Sequence, residues 1–169
     1  MRKDGLHTEF YENGNKKSEG HYKDGKKEGL HIDWYENGQI IQGVIYKDGN
    51  PFIEGLWERY FPNGEIHQKG IIKNQQPFGL FVEYYENGQI FREINFKKGG
   101  DFQGSWIDYY ENGQIFIESN FRDNKLHGYS FSYYENGQIR SELFFSDGNP
   151  IGKWTYYNYD GSIKEIEEY

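Results

Sequence analysis

The sequence lacks the residues on which several protein classes depend. It contains no cysteine, so neither disulfide bonds nor thiolate metal sites are available. It contains no alanine and only 6 leucines against 17 isoleucines, and because isoleucine favours strands over helices, we do not expect a helical fold. No run of about 18 apolar residues could span a membrane, and the first residues lack the apolar stretch of a signal peptide. We therefore expect a soluble, cytoplasmic protein without a transmembrane segment.

Basic residues are fewer than acidic ones. The chain has 19 Lys and Arg against 27 Asp and Glu, which gives a net charge of −8. Because nucleic-acid binding requires clustered lysine and arginine to neutralise phosphates, this balance argues against a nucleic-acid partner. Aromatic residues make up 20% of the chain and account for most of its apolar surface.

An Asn-Gly pair recurs along the whole chain, with Asp160-Gly161 as its seventh copy. The copies are 24, 26, 24, 25, 24 and 24 residues apart, and a glycine lies nine residues before each turn glycine. We therefore expect residues 1–169 to form a single array of about seven repeats, with no separate catalytic domain. The repeats begin near Gly5, Gly29, Gly55, Gly79, Gly104, Gly128 and Gly152.

The Asn-Gly pairs predict β-hairpins, because a two-residue type I′ turn needs positive φ at both central residues. This register places Glu83 opposite Arg92 and Glu58 opposite Lys69, two favourable charge pairs. It also places Tyr35 opposite Ile40, Tyr85 opposite Ile90 and Tyr110 opposite Ile115. An aromatic residue faces each repeat glycine, as Tyr46 faces Gly29. The predicted fold is all-β, an elongated, single-layer, twisted antiparallel sheet stabilised by ladders of side chains between repeats.

The fullest copy of the repeat is the segment from Gly104 to Ile115, Gly-Ser-Trp-Ile-Asp-Tyr-Tyr-Glu-Asn-Gly-Gln-Ile. This pattern, repeated over essentially the whole chain, resembles MORN repeats and is most similar to the bacterial variant found in antitoxin proteins. The resemblance implies an elongated array of β-hairpins and suggests an antitoxin or immunity role. Fold alone does not establish such a role.

Acidic and aromatic residues alternate on one predicted face of the sheet. Such a strip suits a basic protein partner, because aromatic rings provide contact area and charge provides steering. Two other interpretations remain open: the rings are packing rungs, or they form a sugar- or choline-binding platform. The candidate partner-binding residues are Asp33, Tyr35, Trp57, Phe61, Phe81, Glu83, Tyr85, Trp106, Asp108 and Tyr110.

Neither a metal site nor an active site is expected. His7 and His31 occupy the same repeat position, but equivalent strands of neighbouring hairpins lie roughly 9.5 Å apart, too far for simple sharing of one zinc ion. The glutamates before the turns, such as Glu111, recur regularly, whereas a catalytic pair of carboxylates is a singular feature. We therefore expect a non-enzymatic protein with no cofactor.

Two functions fit these observations. The first is an antitoxin or immunity protein that neutralises a basic toxin by covering its active surface. The second is a scaffold or adaptor that bridges proteins or self-associates, because the terminal strands of an open sheet expose unpaired backbone groups. The charged segment from Lys164 to Glu168 discourages such edge pairing.

Overall fold

The computed structural model describes residues 3–169, and over these residues its regular structure consists of β-strands without helices. Contacts divide the chain into a first unit that ends at Gln75 and a second unit from Gln76 to Tyr169. The strands of the first unit are β1 (Gly5–Phe10), β2 (Lys16–Lys23), β3 (Lys26–Trp34), β4 (Ile40–Lys47), β5 (Asn50–Phe52), β6 (Gly55–Tyr60) and β7 (Ile66–Lys73).

The second unit continues the same pattern of short antiparallel strands. Its strands are β8 (Gln76–Tyr84), β9 (Ile90–Phe96), β10 (Phe102–Tyr109), β11 (Ile115–Arg122), β12 (Lys125–Tyr133), β13 (Ile139–Ser146), β14 (Asn149–Pro150), β15 (Lys153–Tyr157) and β16 (Ile163–Glu168). From β8 to β13 each strand pairs with the next along the chain. Strand β13 also pairs with β14 and β15, and β15 pairs with β16.

The sheet of the first unit is interrupted between its second and third hairpins. Strands β1 to β5 form one sheet in chain order, whereas β6 pairs with β7 and no ladder joins β4 to β6. The interruption coincides with Ile53-Glu54, an insertion that lengthens this repeat to 26 residues.

The all-β, antiparallel hairpin prediction is confirmed, and much of its register is correct. Glu83 pairs with Arg92, and Glu58 pairs with Lys69. An aromatic side chain also lies opposite the repeat glycine, as Tyr46 does for Gly29. The same arrangement pairs Gly79 with Phe96 and Gly104 with Phe121.

The predicted type I′ geometry of the Asn-Gly turns is wrong. In the loop Glu36-Asn37-Gly38 only the glycine has positive φ, at 88°. Tyr35 N donates to Gln39 O at 2.8 Å, and Gly38 N donates to Tyr35 O at 2.9 Å. These bonds close a three-residue loop with a left-handed final glycine, not a two-residue turn.

The longer loop moves the predicted pairing by one residue on one strand. Ile40 pairs with Trp34, Ile90 with Tyr84 and Ile115 with Tyr109. The predicted partners were Tyr35, Tyr85 and Tyr110. The shift is a β-bulge just after the turn. The extra, unpaired residues lie on the second strand of each hairpin and are Ile41, Phe91 and Phe116.

The connections between hairpins carry the type I′ geometry instead. At Asp48-Gly49 both residues have positive φ, 51° and 86°, and Lys47 pairs with Asn50 on either side. Asp147-Gly148 repeats this geometry with φ values of 51° and 86°. The two kinds of turn alternate over much of the array, but between β9 and β10 a longer loop replaces the type I′ turn: Lys97 N donates to Asp101 O at 2.9 Å, and Gly100 N donates to Lys97 O at 3.2 Å.

Little of the chain is deeply buried. Among residues 3–169 the buried hydrophobic residues are Val44, Ile72, Val82 and Ile94, and no large side chain there falls below 2% exposure. Side-chain links between neighbouring hairpins take the place of a globular core. Stability in such an array comes mainly from contacts between adjacent repeats.

Candidate protein-binding surface

The tryptophan and phenylalanine candidates form a ladder of interlocking rings. In the second unit, Trp106 lies 5.3 Å from Phe102 and 5.6 Å from Phe121, measured between ring centroids. Phe81 lies 5.4 Å from Phe96 in an edge-to-face arrangement. Trp57, in the first unit, is half-buried as well. Edge-to-face and offset ring pairs contribute about 0.5–1.5 kcal/mol each beyond area burial, so these rings stabilise the sheet.

The tyrosine candidates connect one hairpin to the next through their hydroxyl groups. Tyr35 Oη donates to the carbonyl oxygen of Tyr60 at 3.0 Å, and Tyr85 Oη donates to that of Tyr109 at 2.7 Å. Tyr110 Oη makes the equivalent bond at 2.8 Å. These hydroxyls satisfy backbone carbonyls where two hairpins meet. Phe61, which has no hydroxyl, instead stacks on His67 at 4.2 Å between centroids.

Asp108 is buried within the fold by an arginine of the neighbouring strand. Asp108 is only 8% exposed. Its carboxylate accepts two hydrogen bonds from Arg92: Nε donates to Oδ1 at 2.6 Å, and Nη2 donates to Oδ2 at 2.8 Å. Trp106 Nε1 adds a third bond, to Oδ1 at 2.8 Å. Arg92 Nη1 also lies 3.6 Å from Glu83 Oε2. The hydrogen bond to Asp108 raises the pKa of Arg92, so the guanidinium stays charged.

The opposite face carries glutamates that are also held by tyrosines. Tyr109 Oη donates to Glu93 Oε2 at 2.9 Å, and Tyr133 Oη donates to Glu118 Oε1 at 2.6 Å. Burial and this hydrogen bond raise the pKa of Tyr109 to about 12. The same causes raise the pKa of Tyr133. Both hydroxyls therefore remain protonated donors at neutral pH.

Asp33 is the one acidic candidate in the first unit, and its surroundings differ from those of Asp108. Asp33 is half-buried, and Gln42 Nε2 donates to its Oδ2 at 3.2 Å. It lines an open cleft of about 430 Å³ together with Glu9, Ser18 and His31. Most of the ten candidates are therefore engaged in packing or hydrogen bonds, and their contact with a partner stays a prediction.

An exposed apolar patch in the first unit was missed by the sequence reasoning. Leu56 is 69% exposed and Leu30 is 54% exposed, and each is the residue that follows a repeat glycine. Leu30 pairs across the hairpin with Ile45, and Leu56 pairs with Ile71. Phe52 pairs with Ile45 on its other side. We call these five residues, Leu30, Ile45, Phe52, Leu56 and Ile71, the apolar patch.

The signal for the patch was present in the sequence. Leucine follows the repeat glycine at Leu6, Leu30, Leu56 and Leu80, and strand alternation places it on the face opposite His31 and Trp57. The exposure of these leucines could not be predicted from the sequence. Only the structure shows that Leu30 and Leu56 are more than half exposed.

His31 packs as an aromatic ring. His31, 6% exposed, lies between Tyr22 and Tyr46, with centroid distances of 5.3 and 5.0 Å. Its Nε2 lies 2.8 Å from the carbonyl oxygen of His21. Among residues 3–169 no group of three or more His, Asp or Glu side chains is arranged to hold a metal ion. Within the same residues, no helix is long and apolar enough to cross a membrane.

Comparison with known proteins agrees with the geometry. A family model described as the MORN repeat variant matches the chain six times. The matched residues are 3–24, 27–48, 53–74, 79–98, 102–123 and 126–147. No curated protein matches the chain significantly. Because the six matches cover most of its length, the chain belongs to the MORN repeat variant family.

Proposed function

We propose that this member of the MORN repeat variant family is a non-enzymatic protein-binding protein whose partner docks on the apolar patch. The more specific proposal is an antitoxin or immunity protein that neutralises a basic toxin by covering its active surface. The family supports the coarser part, because MORN repeats have binding or scaffold roles. The observation that carries the proposal is the exposure of the patch.

The patch has the composition of the centre of a protein interface. Its members are all Leu, Ile or Phe, and every one is at least 44% exposed. Leu30 lies over Gly43, where a Cβ atom would be 3.5 Å from Leu30 Cδ1, and Gly43 itself is exposed. Contiguous apolar patches on soluble proteins mark interaction sites, and burial of this surface would contribute roughly 25 cal/mol per Å² of apolar area.

The charge of the chain favours a basic partner. The net charge is −8, and glutamates such as Glu12 and Glu36 are exposed at the turns of the first unit. Charge of this kind accelerates the encounter with a basic protein and makes association sensitive to salt. A basic toxin, such as a nuclease with a phosphate-binding cleft, fits both the charge and the apolar contact.

The acidic side chains do not resemble a catalytic centre. They recur with the repeat, and several are engaged by neighbouring donors, as Asp108 is by Arg92. A hydrolytic site would need a unique pair of carboxylates with distinct environments. The regular repetition therefore supports binding over catalysis.

Affinity capture from a lysate of the source cells tests the binding proposal. The wild-type chain and the double variant Leu30→Gln, Leu56→Gln serve as baits, and elution proceeds in steps of salt. We expect a basic protein that wild type retains and the double variant loses. The matched control, Ile163→Gln with Ile166→Gln, changes two exposed isoleucines of β16 outside the patch and should retain it. Equal retention by both double variants would contradict docking on the patch.

The antitoxin proposal has its own test. The captured protein is expressed alone and together with this chain, and growth of the host and the activity of the purified protein are measured. We expect toxicity and activity that the chain suppresses and the patch variant does not. Capture of several non-toxic proteins, or of a second copy of the chain, would favour the scaffold alternative instead.

A further inference from the structure

We propose that two Asn-Gly pairs of the second unit, Asn87-Gly88 and Asn136-Gly137, are modification sites at which the folded chain deamidates, whereas the pair Asn112-Gly113 is protected. The inference concerns covalent ageing of the chain and does not depend on the proposed binding function. It rests on three loops that have the same sequence but differ in the hydrogen bonds of their asparagines.

One heptapeptide occurs three times in the second unit. The residues Tyr-Tyr-Glu-Asn-Gly-Gln-Ile stand at 84–90, at 109–115 and at 133–139. The asparagine and the glycine of each copy are exposed. Because the neighbouring residues are the same, a difference in reactivity between the three asparagines has to come from the fold.

Deamidation begins when the backbone nitrogen after an asparagine attacks the side-chain amide carbon. At Asn136 the nitrogen of Gly137 forms a bond to Cγ, and the bond from Cγ to Nδ2 breaks. Nδ2 leaves as ammonia with the proton of the Gly137 amide. Water then opens the cyclic imide at one of its two carbonyl carbons and gives aspartate or isoaspartate. Glycine has no Cβ to obstruct the ring closure, and asparagine is accordingly among the thermolabile residues.

The attacking nitrogen is held in the same way in all three loops. Each glycine nitrogen donates to the carbonyl oxygen three residues earlier, at 2.9 Å for Gly88, 2.9 Å for Gly113 and 2.8 Å for Gly137. The asparagine oxygen is also held alike, since Oδ1 accepts a bond of 2.9 to 3.0 Å from the backbone nitrogen two residues later. These bonds slow attack in the folded chain to a similar extent in each loop.

The leaving nitrogen of Asn112 is fixed by the next hairpin. Its Nδ2 donates to the carbonyl oxygen of Glu135 at 3.1 Å. The first unit contains the same link twice, at 2.9 Å from Asn13 and at 2.5 Å from Asn37. The amide has to turn toward the glycine nitrogen before attack, and this bond has to break first. The link therefore protects Asn112.

The leaving nitrogens of the other two asparagines are not held by a neighbouring hairpin. Asn136 Nδ2 donates to Gln138 Oε1 at 3.0 Å, and this acceptor is an exposed side chain of the same loop. Within residues 3–169, Asn87 keeps the bond to its Oδ1, while its Nδ2 makes no hydrogen bond. Both amides can thus turn toward the glycine nitrogen at a lower cost than that of Asn112.

The seventh repeat shows that one of the two products fits this loop. Asp160 occupies the asparagine position, and its Oδ1 accepts a bond from Ser162 N at 2.9 Å. Gly161 N donates to Asn158 O at 2.9 Å, as in the other loops. Aspartate formed at Asn136 can therefore keep the loop. Isoaspartate lengthens the loop backbone by a methylene group and disturbs the bonds that close it.

Peptide mapping of the aged chain tests the proposal. The folded full chain is incubated at mildly alkaline pH and digested with trypsin, which places Asn87, Asn112 and Asn136 on separate peptides. Mass spectrometry then follows the conversion of each amide to a carboxyl group. We expect Asn87 and Asn136 to react about fivefold faster than Asn112, the factor that a hydrogen bond of about 1 kcal/mol represents.

The same chain unfolded in guanidinium chloride is the matched control. There the three asparagines should react at equal and higher rates, because only their shared sequence remains. If Asn112 in the folded chain reacted as fast as either Asn87 or Asn136, the proposal would be overturned. Unequal rates in the unfolded chain would also overturn it, since the fold would then not be the cause.

Two variants measure the protecting link without waiting for the reaction. Asn112→Asp removes the donor to the Glu135 carbonyl and should lower Tm by a few degrees. Asn136→Asp adds the same charge but removes only a bond to an exposed side chain, so Tm should change little. Equal losses of Tm in the two variants would contradict the protecting role of the link.

Discussion

Five tyrosines at one repeat position donate their hydroxyl groups to a backbone carbonyl of the following hairpin. They are Tyr11, Tyr35, Tyr85, Tyr110 and Tyr134, with oxygen–oxygen distances of 2.7 to 3.0 Å. The carbonyl they contact belongs to the last residue of a strand. The hydroxyl therefore explains why tyrosine, and not phenylalanine, recurs at this position.

The first prediction concerns one of these hydroxyls. Tyr110→Phe should lower the free energy of unfolding by about 1 kcal/mol, because it leaves the carbonyl of Tyr133 without its donor. Chemical denaturation provides the measurement. Tyr159→Phe is the control, since Tyr159 is 60% exposed, and it should change the free energy little. Equal effects of the two substitutions would contradict the role of the hydroxyl.

The lowered pKa of His31 should make the stability of the fold depend on pH. Burial lowers its pKa from 6.5, and nearby Lys27 and His21 lower it further, while the bond to the His21 carbonyl and the charge of Asp33 oppose the shift. Because the folded pKa lies below the unfolded one, the unfolded chain binds the proton more tightly. Stability is therefore full above about pH 6.5 and is lost as the pH falls toward the folded pKa.

Thermal unfolding between pH 7.5 and 5 checks this expectation. Tm should fall over this range in the wild type and fall less in His31→Phe, which keeps an aromatic ring over Gly20. The carboxyl groups with lowered pKa, such as Glu19 and Asp123, titrate below this range. Identical slopes in the two proteins would show that His31 does not contribute.

Asp108 shows where sequence reasoning stopped at the residue scale. The match of Glu83 with Arg92 within one hairpin could be predicted, because an Asn-Gly turn fixes a local register. The contact of Arg92 with Asp108 crosses to the next hairpin, and the register there shifts between Phe102 and Trp106. The burial of Asp108 depends on that shift, which no turn rule predicts.

At the scale of elements, the two kinds of turn are set by different side-chain chemistry. In the Asn-Gly loops the asparagine accepts a bond from the backbone two residues later, as Asn112 Oδ1 does from Gln114 N at 3.0 Å. Its Nδ2 donates to the next loop, to the carbonyl of Glu135 at 3.1 Å. These bonds favour the three-residue loop. The second bond joins two neighbouring loops, so the sequence of one repeat could not predict it.

A type I′ turn without glycine offers a prediction at this scale. Asn74 and Gln75 both have positive φ, at 51° and 62°, whereas the equivalent second position is glycine in Gly25, Gly49 and Gly148. A non-glycine residue in this region is strained by about 1–2 kcal/mol, and glycine loses about 0.5–1 kcal/mol of entropy. Gln75→Gly should therefore raise the free energy of unfolding by about 0.5–1 kcal/mol.

The reciprocal substitution is the control for the turn. Gly148 has φ of 86°, and a Cβ atom there would meet nothing closer than Lys125 Cβ at 4.0 Å. Gly148→Gln should thus lower stability by a similar amount through backbone strain alone. Urea denaturation of both variants measures the pair. If Gln75→Gly proved destabilising, the strain at this turn would be refuted.

For the whole molecule, hairpin repetition was predictable from spacing, but the exposure of the apolar patch was not. The interval between Asn-Gly pairs fixes where each hairpin lies, and alternation fixes which residues share a face. Exposure depends on whether anything covers that face. Trp106 and Leu56 both look like core residues in the sequence, yet one is wedged between rings while the other is 69% exposed.

Self-association is a property of the whole chain, and we expect the chain to be a monomer. Within the described residues 3–169, strand β16 pairs with β15 alone. It carries Lys164, Glu165, Glu167 and Glu168, and charges of this kind discourage edge pairing. Sedimentation velocity over a range of concentrations should show a monomer at every concentration. A dimer that Leu30→Gln with Leu56→Gln dissolves would identify a second copy as the occupant of the apolar patch.

The most direct test of the account is the affinity of the captured partner for the apolar patch. Isothermal titration calorimetry compares the wild-type chain with Leu30→Gln, Leu56→Gln and with the β16 control pair. The account predicts that Kd rises by at least about tenfold in the patch variant, since central apolar contacts carry most interface energy. It predicts no change in the control. A patch variant that folds and binds with the wild-type Kd would contradict the account.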